Sequence, residues 1–275
     1  MTSVLYTIKP YQMIQITREL LSERPLSFSS LKEFVRSPAH YVRYISQERK
    51  QTDAMLLGSV IHCLILTPDE FDKTFIVEPV IDKRTKQGKE DYIKFVESIS
   101  GTGLTPIGSD IYVRAREIIT ELLHHQNYKH VKEASKKEFR FLKEHDSGLN
   151  VTGFLDAEGD DFVLEVKTVQ SCDRDEVIRG FFNLKYHLQA GIYHWATGKK
   201  IIYLCIETNP PYLSRIFVAS DNYLSEGTRV FHKAMSDFSY CLDMGLFTSG
   251  YEFYQSEEIE TIDLPRWAQK GGDDD

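Results

Sequence analysis

Midway along the chain the hydrophobic period changes, and that change limits the fold more than any other feature. Between Leu26 and Lys136 apolar residues recur mainly at helical spacing, after a first two dozen residues with no clean period. From Lys136 onward KKEFRFL, LNVTGFLDA and DFVLEVKTV alternate with a period near two, separated by the turn-type clusters EHDSG and EGD. Three short strands in succession predict a sheet at the centre of the chain. With helical patterns before and after it, the fold class is α/β (α+β), a central mixed β-sheet flanked by helices.

The segment LSFSSLKEFVRSPAHYVRYI reads as helix, break, helix, with Ser29 or Ser30 as N-cap and Ser37-Pro38 as the break. AMLLGSVIHCLIL reads as a buried helix closed by Thr67-Pro68, and Gly58 and His62, four apart, share a face. Pro106 opens a helical stretch ending near His124 and His125, which are adjacent and so do not share a face; they read as surface residues. Beyond the strands, DEVIRGFFNLKYHLQAGIYHWATG is a helical region closed by Gly198. A strand IIYLCIET, a Pro-Pro turn, a strand SRIFVAS and a helix from Asp221 to Met244 complete the pattern. Residues 1–25 are expected to form an arm, 26–250 one folded domain and 251–275 a tail whose last residues are disordered.

With 41% hydrophobic and 27% charged residues in 275, the composition is that of a soluble globular protein. Acidic residues outnumber basic ones by 41 to 33, so bulk charge does not advertise nucleic acid, and any DNA contact must rest on a local basic patch. Residues 82–94 hold five basic side chains, which read either as a DNA-facing patch or, the favoured reading, as a solvated face. The stretch YKHVKEASKKEFRFLK, with Lys136, Lys137 and Arg140, immediately precedes the second predicted strand and is the better DNA-binding candidate. Cys63, Cys172, Cys205 and Cys241 lie far apart with no C-x-x-C pair, which argues against zinc or an iron–sulfur cluster. The longest apolar stretch, Ala54 to Leu66, is too short to span a bilayer. A cytoplasmic protein with no membrane partner is the expectation.

The candidate chemistry lies on the strands. Asp156 comes near the end of one; nine residues later Glu165 sits on the next, and Lys167 follows at i+2, on the same face. A short hairpin brings Asp156 beside Glu165, placing two carboxylates and one amine at the edge of an apolar sheet. Such a group can hold a divalent cation and a water beside a phosphodiester. A cross-strand salt bridge on a solvated face is the competing reading.

Taken with its flanks, the chain resembles the PD-(D/E)XK nuclease superfamily, and within it the RecE-type exodeoxyribonucleases (exonuclease VIII) and their phage relatives. The resemblance covers roughly Leu26 to Gly250: the opening motif LSFSSLKEFVRSPAHY, the helix motif GSVIH, the strand glutamate of KKEFRF, the G-x-x-D-x8-E-x-K core and a downstream Y-H-x-Q-x-x-x-Y helix. It implies a restriction-endonuclease-like core, with Asp156 and Glu165 as metal carboxylates and Lys167 as the catalytic lysine. It further implies the Val166 carbonyl as a metal ligand, His62 as a further metal ligand or site histidine, Gln189 and Tyr193 as the glutamine–tyrosine motif against the active centre, and Glu138 as a weaker site candidate. The metal would be Mg²⁺ or Mn²⁺.

The implied activity is a 5′-to-3′ exonuclease on double-stranded DNA ends in recombination or repair, in a bacterial or phage-infected cell. A single-strand annealing partner and a homo-oligomer are implied with it. A non-cutting DNA-binding module of the same fold and a structure-specific endonuclease are the alternatives. Two departures stand out: Leu155 precedes the aspartate where close relatives often carry a basic residue, and Glu165 stands where many have Asp. Lys167 is expected to orient the water or stabilise the attacking oxygen; service as a general base requires its pKa to be depressed.

Overall fold

The computed structural model describes residues 14–47 and 51–248. Helices α1 (Arg18–Glu23), α2 (Phe28–Phe34), α3 (Pro38–Ser46) and α4 (Asp53–Leu66) come first, then α5 (Phe71–Thr74), β1 (Phe75–Val77), α6 (Lys86–Ile99) and β2 (Thr105–Ile107). They are followed by α7 (Ser109–His124), α8 (Lys129–Glu133) and three strands, β3 (Lys136–Glu144), β4 (Asn150–Glu158) and β5 (Phe162–Val169). The chain continues through α9 (Arg174–Asn183), α10 (Tyr186–Thr197), β6 (Lys200–Glu207), β7 (Ser214–Val218) and α11 (Asp221–Met244).

β3 to β7 form one mixed sheet in chain order, antiparallel except for the parallel pair β5 and β6, which the α9–α10 crossover connects. Each face of the sheet is covered by its own core layer. On one side Val151, Leu155, Val163 and Tyr203 pack with α2, α10 and α11; on the other Ala157, Leu164, Val166 and Leu204 pack with α4 and α7. β5 is therefore buried on both faces, which explains why its apolar residues fall at nearly every position.

Local chemistry sets the helix ends. Ser27 and Ser30 cap α2 reciprocally, so the N-cap falls two residues before the position expected at Ser29. Pro106 does not open a helix: it lies in β2, paired in parallel with β1, and α7 starts at Ser109. Within the arm expected over 1–25, the described residues 14–25 are tied to the domain: Ile16 and Leu21 enter the core, and Leu26 exchanges backbone hydrogen bonds with Asn150 and Thr152 of β4, whereas residues 1–13 lie outside the described residues. The tail expected over 251–275 lies outside the described residues.

One interhelical contact fixes the position of α10. A Cβ on Gly191 would collide with the backbone of Gly227 and Thr228, and one on Gly227 with the carbonyl of His187. α10 and α11 thus meet backbone to backbone, with no side chain between them at this point.

Candidate active site

β4 and β5 pair over only two residue pairs, Ala157 with Leu164 and Glu158 with Val163, and then separate. One step further along the same register stand Asp156 and Glu165, at the mouth of this fork. β5 is the middle strand of five, so the carboxylates lie within the sheet and not at its edge. The Asp156 carboxylate takes the place of a missing strand partner: its Oδ2 accepts from the Val166 N–H at 2.7 Å, and its own N–H donates to Glu165 Oε1 at 3.5 Å.

The strand pleat breaks at the same point. Leu155 belongs to one core layer and Ala157 to the other, although residues two apart on a regular strand share a face. On β3 the facing residue is Glu138, whose φ of 48° removes it from the ladder between the pairs Lys137–Ala157 and Phe139–Leu155. A non-glycine residue held at positive φ is strained, and such strain collects at functional sites. Glu138 lines the same cleft as His62 and Lys167, and burial with the nearby Asp156 raises its pKa.

Glu165 and Lys167 project to the α10 layer. Lys167 Nζ donates to Glu165 Oε2 at 2.8 Å, and Gln189 Nε2 donates to the same oxygen at 3.1 Å. Gln189 also donates to Tyr193 Oη at 3.1 Å, which in turn donates to the Phe154 carbonyl at 2.9 Å. Residues four apart on α10 therefore brace both strands of the fork. Gly153 makes room for this brace, since a Cβ there would lie 2.5 Å from the Phe141 ring and 2.9 Å from that of Tyr193. The glycine of G-x-x-D is thus a packing requirement.

His62 reaches the fork from α4 on the opposite layer, its Nδ1 3.6 Å from Asp156 Oδ1. His62, Glu138, Val166, Lys167 and Lys137 line one open cleft of about 850 Å³. The other DNA-binding candidates lie elsewhere. Lys136 pairs with Glu158 at 3.3 Å, and Arg140 bonds Thr152 at 2.8 Å beside a separate cavity that Gln189 and Tyr193 also line. Tyr186, which carried no assignment, has its ring centre 5.1 Å from Lys167 Nζ. The signal was its place three residues before Gln189, on one helix face.

The electrostatics divide the two carboxylates. Burial, with repulsion from Asp156 added, pushes Glu165 up to about 7 against the pull of Lys167. Asp156 is also opposed by burial, but His62, Lys167 and the Val166 N–H outweigh it and hold the carboxyl below its ordinary value. Burial works to lower the Lys167 pKa, yet Glu165 and Asp156 prevail and hold it above its ordinary value. The two carboxylates thus favour the protonated amine, the direction opposite to the depression that general-base service requires. His62 is likewise raised, Asp156 overcoming the effect of burial.

Among the described residues no three His, Cys, Asp or Glu side chains form a ready-made metal cage. The reason is visible in the bonding: Asp156 is engaged by Val166, and Glu165 by Lys167 and Gln189. The donor set nevertheless fits a hard divalent cation, because Mg²⁺ is commonly held by one or two carboxylates, with water and substrate phosphate completing its shell. Two mutually repelling carboxylates, one with its proton affinity already raised, are the partners such a charge would relieve.

A sheet fork presenting Asp, Glu and Lys, backed by a Gln–Tyr helix, defines the class of PD-(D/E)XK nuclease-fold proteins. Residues 27–260 match the family described as PDDEXK-like domain of unknown function (DUF3799), and the chain belongs to that family. The fold is similar to the crystal structure of a protein from Eubacterium rectale described as a candidate exonuclease. The TM-score is 0.55, at 15% identity over 95% of this chain and 97% of that one. An alkaline exonuclease from Laribacter hongkongensis matches more distantly, with TM-score 0.29 and 16% identity over 59% of this chain and 86% of its own. No curated protein sequence matches the chain. Family and site together support a nuclease.

Proposed function

We propose that the protein is a metal-dependent exonuclease that hydrolyses phosphodiester bonds at the ends of linear double-stranded DNA, in the 5′-to-3′ direction, during recombination or repair. The observation that carries this reading is the meeting of Asp156, Glu165 and Lys167 at the strand fork beside the cleft. Asp156 and Glu165, with the Val166 carbonyl and His62, are the residues to hold Mg²⁺ or Mn²⁺. When bound, the cation lowers the pKa of a water and neutralises charge developing on the scissile phosphate.

The chain's own residues supply the rest. Lys167, protonated, directs an N–H toward the attacking or developing negative oxygen. Gln189 holds Glu165 in place, and Tyr193 ties α10 to the residue preceding Leu155-Asp156. Lys137 gives the cleft a cation for the backbone phosphates. On this reading the duplex end is the partner, a single-strand annealing protein receives the product strand, and a homo-oligomer encircles the duplex in a cytoplasmic setting.

The test is incubation with Mg²⁺ on linear and covalently closed duplex DNA, beside EDTA and a Lys167→Ala variant. Loss of the linear form alone, abolished by EDTA and by the substitution, is expected. Cleavage of the closed circle would instead make the protein an endonuclease, and inertness on both would make it a binding module.

A further inference from the structure

A second cavity, of about 570 Å³, opens beside the catalytic cleft and shares Thr168 and Tyr186 with it. Its walls are apolar and aromatic: Leu57, Phe181, Leu184 and the Tyr186 ring. Its charged lining is mostly anionic, with Asp53, Asp110 and Glu176 against Arg114, and neutral Gln170 and Ser171 add to the polar wall. That guanidinium is already engaged, donating to the Thr208 carbonyl at 2.6 Å and to Asn209 Oδ1 at 2.7 Å. A phosphate would meet three carboxylates here. A nucleobase would meet flat apolar faces and acceptors for its ring and exocyclic N–H groups.

We infer that this cavity is a nucleobase subsite, receiving the base of an unpaired terminal nucleotide whose phosphate lies in the catalytic cleft. Tyr186 stands between the two spaces, its ring toward Lys167 on one side and lining the cavity on the other. The inference deepens the nuclease reading for the path of the strand, while the character of the pocket stands on its lining alone. A base lodged there cannot remain stacked and paired in the duplex, so the substrate end must be peeled before cleavage.

Gly180 of α9 lines the cavity, and a Cβ there meets nothing within 4 Å, so a large side chain at this position fills the space without displacing the core. Calorimetric binding of 2′-deoxycytidine 5′-monophosphate and of 2-deoxyribose 5-phosphate is measured on the full chain, wild type and Gly180→Trp. Wild type is expected to bind the nucleotide about tenfold more tightly than the sugar phosphate, roughly the value of one stacked base. Gly180→Trp is expected to lose that preference and to leave the sugar phosphate unaffected. If Gly180→Trp fails to fold, Ala54→Trp fills the same cavity from the exposed side of α4.

Equal affinity for the two compounds, or an undiminished preference in the filled variant, overturns the subsite. A cleavage arm separates this outcome from failure of the nuclease reading: a linear duplex with an abasic terminal nucleotide is compared with the normal one. A lower kcat/KM on the abasic end in wild type, absent in Gly180→Trp, supports the subsite. Cleavage that ignores the base rejects the subsite and keeps the nuclease, whereas base-selective binding without any cleavage keeps the subsite and rejects the nuclease.

Discussion

Two helical glycines are expected to respond to alanine with opposite signs. Gly in a helix interior costs about 0.5–1 kcal/mol relative to Ala, so both substitutions start with that gain. At Gly180 nothing opposes it, because the added methyl meets open space. Gly180→Ala should therefore raise stability by about 0.5–1 kcal/mol, or about 1–4 °C in Tm for a chain of this size. At Gly191 the methyl would collide with backbone atoms of Gly227 and Thr228, which cannot rotate away. Carbon contacts settle near 3.5–4.0 Å, so α10 must retreat from α11 by on the order of 1 Å. Overpacking of this kind costs about 3 kcal/mol or more, so after the helix gain about 2–3 kcal/mol is lost, a fall of roughly 5–10 °C. The retreat also withdraws Gln189 from Glu165, so activity should fall further than the melting point alone explains. Thermal and urea unfolding of the two variants beside wild type is the assay. A Gly191→Ala protein as stable as wild type would refute the close-approach argument.

Lys167→Ala should lower DNA cleavage by at least about 10²-fold, in line with the loss of one charge-stabilising donor, while Lys167→Arg should fail to restore it because the guanidinium is bulkier and planar; single-turnover kinetics measure both. Lys137→Glu should weaken DNA binding and reduce the salt slope by about one, whereas Lys136→Glu should have a smaller effect because Glu158 already neutralises that lysine; fluorescence anisotropy against salt concentration decides. Chelation by EDTA should abolish cleavage, and Mn²⁺ should support it at least as well as Mg²⁺ because His62 offers an imidazole. His145 Nε2 lies 2.8 Å from His232 Nδ1, and burial, aided by His232, lowers the His145 pKa from 6.5. The unfolded chain then binds the proton more readily as pH falls through about 6.5, so His145 by itself should cost stability from pH 7.5 to 5.5, against the opposite contribution of Glu165 and His62, whose raised pKa values favour the folded state as pH falls. Urea midpoints should show that loss in wild type relative to His145→Gln.

Much of this protein was legible locally. The three strands, the buried helix carrying His62 and the shared face of Glu165 and Lys167 depend on backbone periods of two and 3.6, which a sequence displays directly. Gln189 and Tyr193 fell on one face of α10 for the same reason. Other features depended on partners distant in the chain. That α9 and α10 are separate helices follows from Lys185, held at φ 58° in the left-handed region, where the sequence showed unbroken helical character. The positive φ of Glu138 and the reversed pleat at Asp156 arise where β4 leaves β5.

Charge shows the same division. Counting basic residues singled out Lys136, Lys137 and Arg140 together, but only packing could assign Lys136 to Glu158, Arg140 to Thr152 and Lys137 to the cleft. The ionisation of Lys167 was likewise undecided, since burial and two carboxylates pull its pKa in opposite directions and their distances set the winner. Sequence alone determined the residue types and the faces they occupy, because those follow from short-range geometry. Tertiary structure decided their separations, protonation and the empty space beside them, because Coulomb energies and van der Waals contacts depend on distance through space and not along the chain.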